Sequence, residues 1–409
     1  MTTTIFHIDV NSAYLSWTAL DRLSKGDPTD LRLIPSIIGG DMAKRHGVVL
    51  AKSIPAKAYG IVTGEPVVNA FRKCPDLVMA PPDHRMYDER SRQLMEYLVS
   101  VCPDIEQVSI DECYMDYTPI RKNFPSPEYA AAHIKDTVYE KFGFTVNVGI
   151  SDKKVLAKMA SDFKKPNLVH TLYTRELPQK LWPLPVSSLF MCGKSSVEAL
   201  RKLGILTIGD LARFDPKILE AHLKSHGITL WEYANGIDTS RVETVHARAK
   251  GVGNSTTLSQ DALTKEEVYP VLLSLSEYVG RRLRESHELA GNVCTEIKYA
   301  TFQSVSHQKI LYTPTASTEL IYRTACSLFD ELWNGSPVRL LGIRTSKLVK
   351  DTEPVQLSLF DMATQKPVSE KQKKLDAALD SIRSRYGADA VKRGSLLTPP
   401  SDPLLRKDP

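Results

Sequence analysis

Asp111 and Glu112 stand side by side between Val108-Ser-Ile and Cys113-Tyr-Met, in an apolar, β-prone run. Ionised carboxylates are costly there unless a cation or strong donors neutralise them. A third acid, Asp9, nearly closes another such run, Thr4-Ile-Phe-His-Ile-Asp-Val10. Carboxylate oxygens suit hard divalent ions such as magnesium. Two such ions about 3.5 to 4 Å apart activate an attacking hydroxyl and stabilise a leaving oxygen, with Asp9 as the bridging carboxylate. The same Asp111-Glu112 pair also fits a hairpin turn with solvated acids, so spacing alone leaves both readings open.

Such acids need elements that position them. Residues 4–10 read as a short strand and 11–23 as a helix with apolar spacing. Around 107–117 two strand-like halves meet at the acids, and because strand neighbours face opposite sides, a turn or bulge must bring both together. Residues 146–150 are a third strand, with Ser151 the expected N-cap of a helix that must end before Pro166. On that helix Val155, Leu156, Met159 and Phe163 form an apolar stripe, while Lys154, Lys158 and Lys165 share a cationic face.

Downstream, 166–237 turns helical, with 189–205 ending near Gly204 and Thr207 opening a further helix. Residues 238–253, rich in Arg, Lys and Gly, read as a linker. Residues 252–348 then run strand, helix (264–287, opened by the box Thr264-Lys-Glu-Glu267), strand, strand, helix, strand: a βαββαβ unit. The tail carries an apolar cluster at 356–360, a helix whose Leu375, Leu379, Ile382 and Tyr386 fall on one stripe, and ten final residues of disordered character.

At 409 residues the chain exceeds one core, and roughly three or four domains are expected. With 42% hydrophobic and 25% charged residues the composition is globular, and a net charge of +5 is compatible with nucleic acid without requiring it. The six cysteines (Cys74, Cys102, Cys113, Cys192, Cys294, Cys326) show no C-x-x-C spacing, which points away from a disulfide framework or zinc site. No stretch nears the ~20 apolar residues of a membrane helix and no leader is evident. A soluble, unprocessed, cytoplasmic protein is expected.

Three segments carry a resemblance. His7-Ile-Asp-Val-Asn-Ser-Ala-Tyr14, Ser109-Ile-Asp-Glu112, and Gly149-Ile-Ser151 through Ala157-Lys-Met-Ala-Ser-Asp-Phe-Lys-Lys-Pro166 resemble, in order and separation, the motifs of the Y-family translesion DNA polymerases of the bacterial DNA polymerase IV or UmuC kind. The resemblance implies an α+β, multi-domain right hand. Palm would occupy 1–24 and 78–166, fingers 25–77, a helical thumb with a helix-hairpin-helix 167–237, a linker 238–251, a βαββαβ little finger 252–350 and a tail 351–409. It implies template-directed, low-fidelity addition of deoxynucleotides to a primer 3′-hydroxyl, with pyrophosphate release. Two magnesium ions would be held by Asp9, Asp111, Glu112 and the carbonyl of Val10.

Under the same resemblance Tyr14 falls at the aromatic steric gate against ribose, and Lys165 at the triphosphate lysine. Where many relatives place Tyr and Arg on the triphosphate, Ile54 and Lys57 stand here; Lys57 offers a point charge instead of a fork, and Ile54 no donor. Phe190-Met-Cys-Gly193-Lys194-Ser195 resembles the thumb hairpin that grips a DNA phosphate, with Met191 replacing its first glycine. Arg241, Arg248 and Lys250 add phosphate contacts or simply form a solvated run. Gln356-Leu357-Ser-Leu359-Phe360 resembles the peptide that docks on the bacterial sliding clamp; a buried edge strand is its plainer reading. Expected partners are primer-template DNA, a deoxynucleoside triphosphate and the clamp, for a monomer away from membranes.

Competing readings are an inactive DNA-binding protein of the same fold, which would be free to lose the three acids, and a nucleotide cyclase, for which only Gly39-Gly-Asp41 speaks. Gly193-Lys-Ser195 is no Walker site, since Ser188 occupies the place of its first glycine.

Overall fold

The computed structural model describes residues 3–40, 47–245, 248–353, 370–387, 390–391 and 393–394. The clamp-type segment Gln356–Phe360 and the last ten residues lie outside them. The chain divides into two compact units, one of residues 1–42 and 47–246, the other built mainly from 247–409.

The first unit opens with β1 (Ile5–Val10), buried along its whole length, and α1 (Ala13–Ser24). A small layer follows, comprising β2 (Ser36–Gly39), β3 (Val49–Lys52), α2 (Ile54–Ala58), α3 (Val67–Lys73) and β4 (Val78–Ala80), with strand order β3-β2-β4. It closes over its own core of Ile37, Val49, Ile61 and Val67. Ser53 caps α2 by accepting from Ala56 N at 3.0 Å, leaving Ile54 and Lys57 exposed on the first turn.

The chain then returns through α4 (His84–Val101), β5 (Ile105–Gln107), β6 (Glu112–Asp116), α5 (Pro127–Phe142), β7 (Val146–Ser151), α6 (Lys154–Ser161) and β8 (Val169–Thr171). Among the described residues these strands join β1 in a five-stranded sheet, order β5-β6-β1-β7-β8. β1 lies between two antiparallel neighbours and is buried at every position, His7 and Asp9 included, in keeping with its otherwise apolar run. Helices α7 (Leu177–Lys180), α8 (Lys194–Lys202), α9 (Ile208–Arg213) and α10 (Pro216–Ala234) share a separate core with Val155, Leu156 and Met159 of α6.

Two expectations for this region need correction. Ser151 does not cap α6: it still lies in β7 and its hydroxyl donates to Leu172 O at 2.6 Å, so the N-cap is Lys153. Lys165 lies beyond the end of α6 at Ser161, so it does not share a helical face with Lys154 and Lys158. The expected linker is in part tied down. Asp238 Oδ2 accepts from Val155 N at 2.9 Å, supplying α6 with a cap, and Glu106 accepts from Glu243 N at 2.8 Å while Lys154 bridges Glu106 and Arg241 O.

The second unit is β9 (Gly251–Ala262), α11 (Lys265–Glu285), β10 (Glu288–Tyr299), β11 (Ser304–Thr315), α12 (Thr318–Leu332) and β12 (Val338–Lys350), the order read from sequence. Its sheet runs β11-β10-β12-β9 with every neighbouring pair antiparallel. The Thr264/Glu267 capping box is present.

The tail helix α13 (Glu370–Tyr386) docks through residues beside its apolar stripe and not through the centre of that stripe. Leu375, Ile382 and Tyr386 are exposed, whereas Asp376 is 2% exposed. Asp376 accepts from Thr318 N at 3.2 Å, capping α12, whose own Ser317 makes no side-chain cap. Arg284 pairs with Asp380 at 2.6 Å, and Arg383 and Arg393 both reach Glu277, at 3.0 and 2.8 Å. These buried charges are costly unless mutually paired, so pairing outweighs the apolar stripe in choosing the docked face.

Candidate active site

Register places the acids. Asp9 lies directly opposite Glu112 across β1 and β6, and opposite Asn147 across β7. Residues Val108–Asp111 form the tight turn the two strand halves require: Val108 N and Ser109 N both donate to Glu112 O, at 3.0 and 3.3 Å. Asp111 therefore sits in the turn, where its carbonyl accepts from Val10 N at 3.0 Å and fixes it beside β1. Its carboxylate accepts from Ser109 Oγ at 2.6 Å.

The structure thus brings Asp9 and Glu112 together at the side-chain level and Asp111 alongside them through its backbone. Among the described residues, no three His, Cys, Asp or Glu side chains are closed into a metal-ligating cluster.

Cations neutralise the pair. Lys158 Nζ pairs with Glu112 Oε1 and lies 3.7 Å from Asp9 Oδ2, and Lys165 Nζ donates to Asp9 Oδ1 at 2.8 Å. Burial pushes the Asp9 carboxyl well above the usual range, against the pull of Lys165. Burial acts on Glu112 in the same direction but is outweighed by its donors and by Lys158, which hold it below the ordinary range. His7, fully buried, stacks edge-on to Tyr114 with Nδ1 2.7 Å from Ser161 Oγ and Nε2 3.7 Å from Glu112; its burial lowers its pKa.

A cavity of about 720 Å³ is lined by Ser12, Arg32, Lys52, Lys57, Thr145 and Lys165 among others, and Lys165, bonded to Asp9, links it to the acids, which do not themselves line it. Tyr14 stands beyond Ser12 on α1, its ring stacked on Tyr87 at 4.5 Å and edge-on to His84; Tyr87 is itself fixed to Thr18 by a 2.8 Å hydroxyl bond.

Residues 8–162 match the impB/mucB/samB family, and residues 249–359 match the C-terminal domain of that family. A protein named DNA polymerase IV from Clostridium acetobutylicum is 46% identical over 97% of this chain and 99% of its own length. The chain belongs to the impB/mucB/samB family. Proteins of the same name from Alkaliphilus oremlandii (35% identical; 97% of this chain, 100% of theirs) and Acetivibrio thermocellus (36%; 96% and 97%) are also similar. A solved Y-family DNA polymerase chimera, 22% identical, superposes with a TM-score of 0.74 over 85% of this chain and 99% of its own, so the fold is the Y-family right hand.

In this family member the remaining sequence candidates are dispersed. Gly193, Lys194 and Ser195 form the exposed start of α8, with Met191 in the left-handed region at φ 68°, where a glycine would be unstrained. Arg241 is exposed. Arg248 is paired with Glu288 at 3.1 Å and with Glu353 at 3.5 Å, and Lys250 borders an open trough of about 700 Å³ floored by Gly251, Gly253 and Gly342.

Sequence reasoning missed Lys52, Lys158 as the partner of Glu112, and His7. The first stands one residue before the cap of α2, and the others lie inside motifs already singled out. The signal for all three was a charged or titratable residue embedded in an otherwise apolar run.

Proposed function

We propose that this chain is a DNA-directed DNA polymerase that performs low-fidelity, translesion synthesis. It adds deoxynucleotides to a primer 3′-hydroxyl with release of pyrophosphate. The observation that carries this is the cross-strand pairing of Asp9 with Glu112, with Asp111 in the adjoining turn, beside a lysine-lined cavity. Full-length relatives named DNA polymerase IV support it.

Asp9, Asp111, Glu112 and the Val10 carbonyl offer the hard oxygens that magnesium prefers, and the desolvation of Asp9 makes a cation there favourable. Two such ions, when bound, supply activation of the 3′-hydroxyl and neutralise charge on the leaving pyrophosphate. Lys57 and Lys165, joined by Lys52, present positive charge to a triphosphate in the cavity they line. The Tyr14 ring, backed by Tyr87, forms a rigid wall that rejects a ribose 2′-hydroxyl by bulk.

In domain terms we assign palm to 1–24 and 78–166, fingers to 25–77, thumb to 167–237, linker to 238–251 and little finger to 252–350. Gly193, Lys194, Ser195, Arg241, Arg248 and Lys250 serve the DNA backbone, Arg248 by giving up its carboxylate partners.

Primer extension with magnesium on undamaged and abasic templates tests the proposal. Chelator-sensitive extension past the lesion is expected, and no incorporation on either template refutes it. Clamp binding by the monomer rests on the sequence Gln356–Phe360. Deleting those five residues is expected to remove stimulation by the sliding clamp and leave basal extension unchanged; equal stimulation of the deletion variant counts against the motif.

A further inference from the structure

Lys158 lies at the centre of the acid cluster and is 9% exposed. Its ammonium pairs with Glu112 Oε1, with Asp9 Oδ2 at 3.7 Å and Asp162 Oδ2 at 3.8 Å. The two oxygens on its inner side belong to carboxylates that would also serve a divalent cation. The oxygen on its outer side belongs to Asp162, whose side chain is 46% exposed and which also accepts from Lys165 at 2.9 Å. The backbone of Lys158 is anchored, because α6 is seated against β7 at Gly149, capped by Asp238, and held at the Lys158 carbonyl by Ser161 Oγ at 2.8 Å. Rotation of its side chain carries the ammonium inward to Glu112 and Asp9 or outward to Asp162, the carboxylates that surround it.

We propose that Lys158 is a built-in counter-ion competing with the divalent cation for Glu112 and Asp9. It neutralises and orients both carboxylates before loading, then swings to Asp162 as the cation takes its place. Lys158 is thus a positioning residue that sets how tightly metal is held. The argument rests on the metal-ion reading of the three acids. A buried carboxylate left without a partner is strongly destabilising, which is why a resident cation is needed at all. Removing that cation should help the metal and harm the metal-free protein together.

Manganese binding to the full chain, without DNA or nucleotide, reads this directly by electron paramagnetic resonance, alongside thermal unfolding with and without manganese. Lys158→Met is expected to bind manganese about tenfold tighter than the parent, as loss of a competing ion pair demands. It should unfold at a lower temperature without the ion and recover with it, so its folding is judged in the same experiment. Asp162→Asn, a change at a half-exposed position, removes the outward partner and is expected to weaken manganese binding severalfold. In the Lys158→Met background the same change is expected to do little, because no ammonium remains to be received. Manganese affinity of Lys158→Met equal to or below the parent's, with Glu112→Gln still weakening binding, overturns the counter-ion role and leaves the metal site standing. Unchanged affinity in Glu112→Gln overturns the site and this inference with it.

Discussion

Asp111→Ala is expected to abolish primer extension, by about a thousandfold or more, while primer-template DNA still binds. A thousandfold corresponds to about 4 kcal/mol of transition-state stabilisation, a reasonable share for a group that holds a catalytic cation. The substitution is clean because the fold uses the Asp111 backbone, whose carbonyl accepts from Val10 N, while its side chain accepts only a local bond from Ser109 Oγ in the same turn. Glu112 is a poorer choice, since its removal strands Lys158 beside Asp9 and mixes a catalytic loss with a structural one. Single-turnover extension at saturating nucleotide, paired with fluorescence anisotropy on DNA, separates chemistry from binding. Extension within tenfold of the parent would remove Asp111 from the ligand set.

How much of this was legible beforehand differs between fold and site. β1 announced itself as a short β-prone run, apolar except at His7 and Asp9, and the second unit's order followed from periodicity and the Thr264 box. The turn at 108–111 followed from geometry, since adjacent strand residues cannot share a face otherwise. The opposition of Asp9 to Glu112 did not, because register between segments a hundred residues apart is set by tertiary packing. The same limit hid the role of Lys158, whose partner lies 46 residues upstream. Ser151 looked like a cap because cap chemistry is local, yet the nearby Leu172 carbonyl took its hydroxyl. The tail helix is more instructive: its apolar stripe was legible in sequence, but its docking was not, because Asp380 and Arg383, on the neighbouring face, pair with Arg284 and Glu277 of α11 across about a hundred residues.

Gly149→Ala carries the second large effect, and on stability. A Cβ at this position would stand 2.0 Å from the Ala157 carbonyl oxygen and 2.5 Å from Ser161 N, both backbone atoms of α6 that cannot rotate away. The helix would have to lift from β7, opening the packing of Leu156, Met159 and Val155 and moving Lys158 off Glu112. Overpacking against rigid backbone costs about 3 kcal/mol or more, equivalent to roughly 6–12 °C in the unfolding midpoint of a unit this size. Gly193→Ala, where an added methyl meets nothing within 4 Å, is the control and is expected to cost about 1 kcal/mol at most, the loss of a glycine N-cap on α8. Differential scanning calorimetry on both variants decides the matter. A Gly149→Ala protein that unfolds with the parent would mean that α6 does not rest on the strand at backbone distance, and the placement of Lys158 over the carboxylates would lose its support.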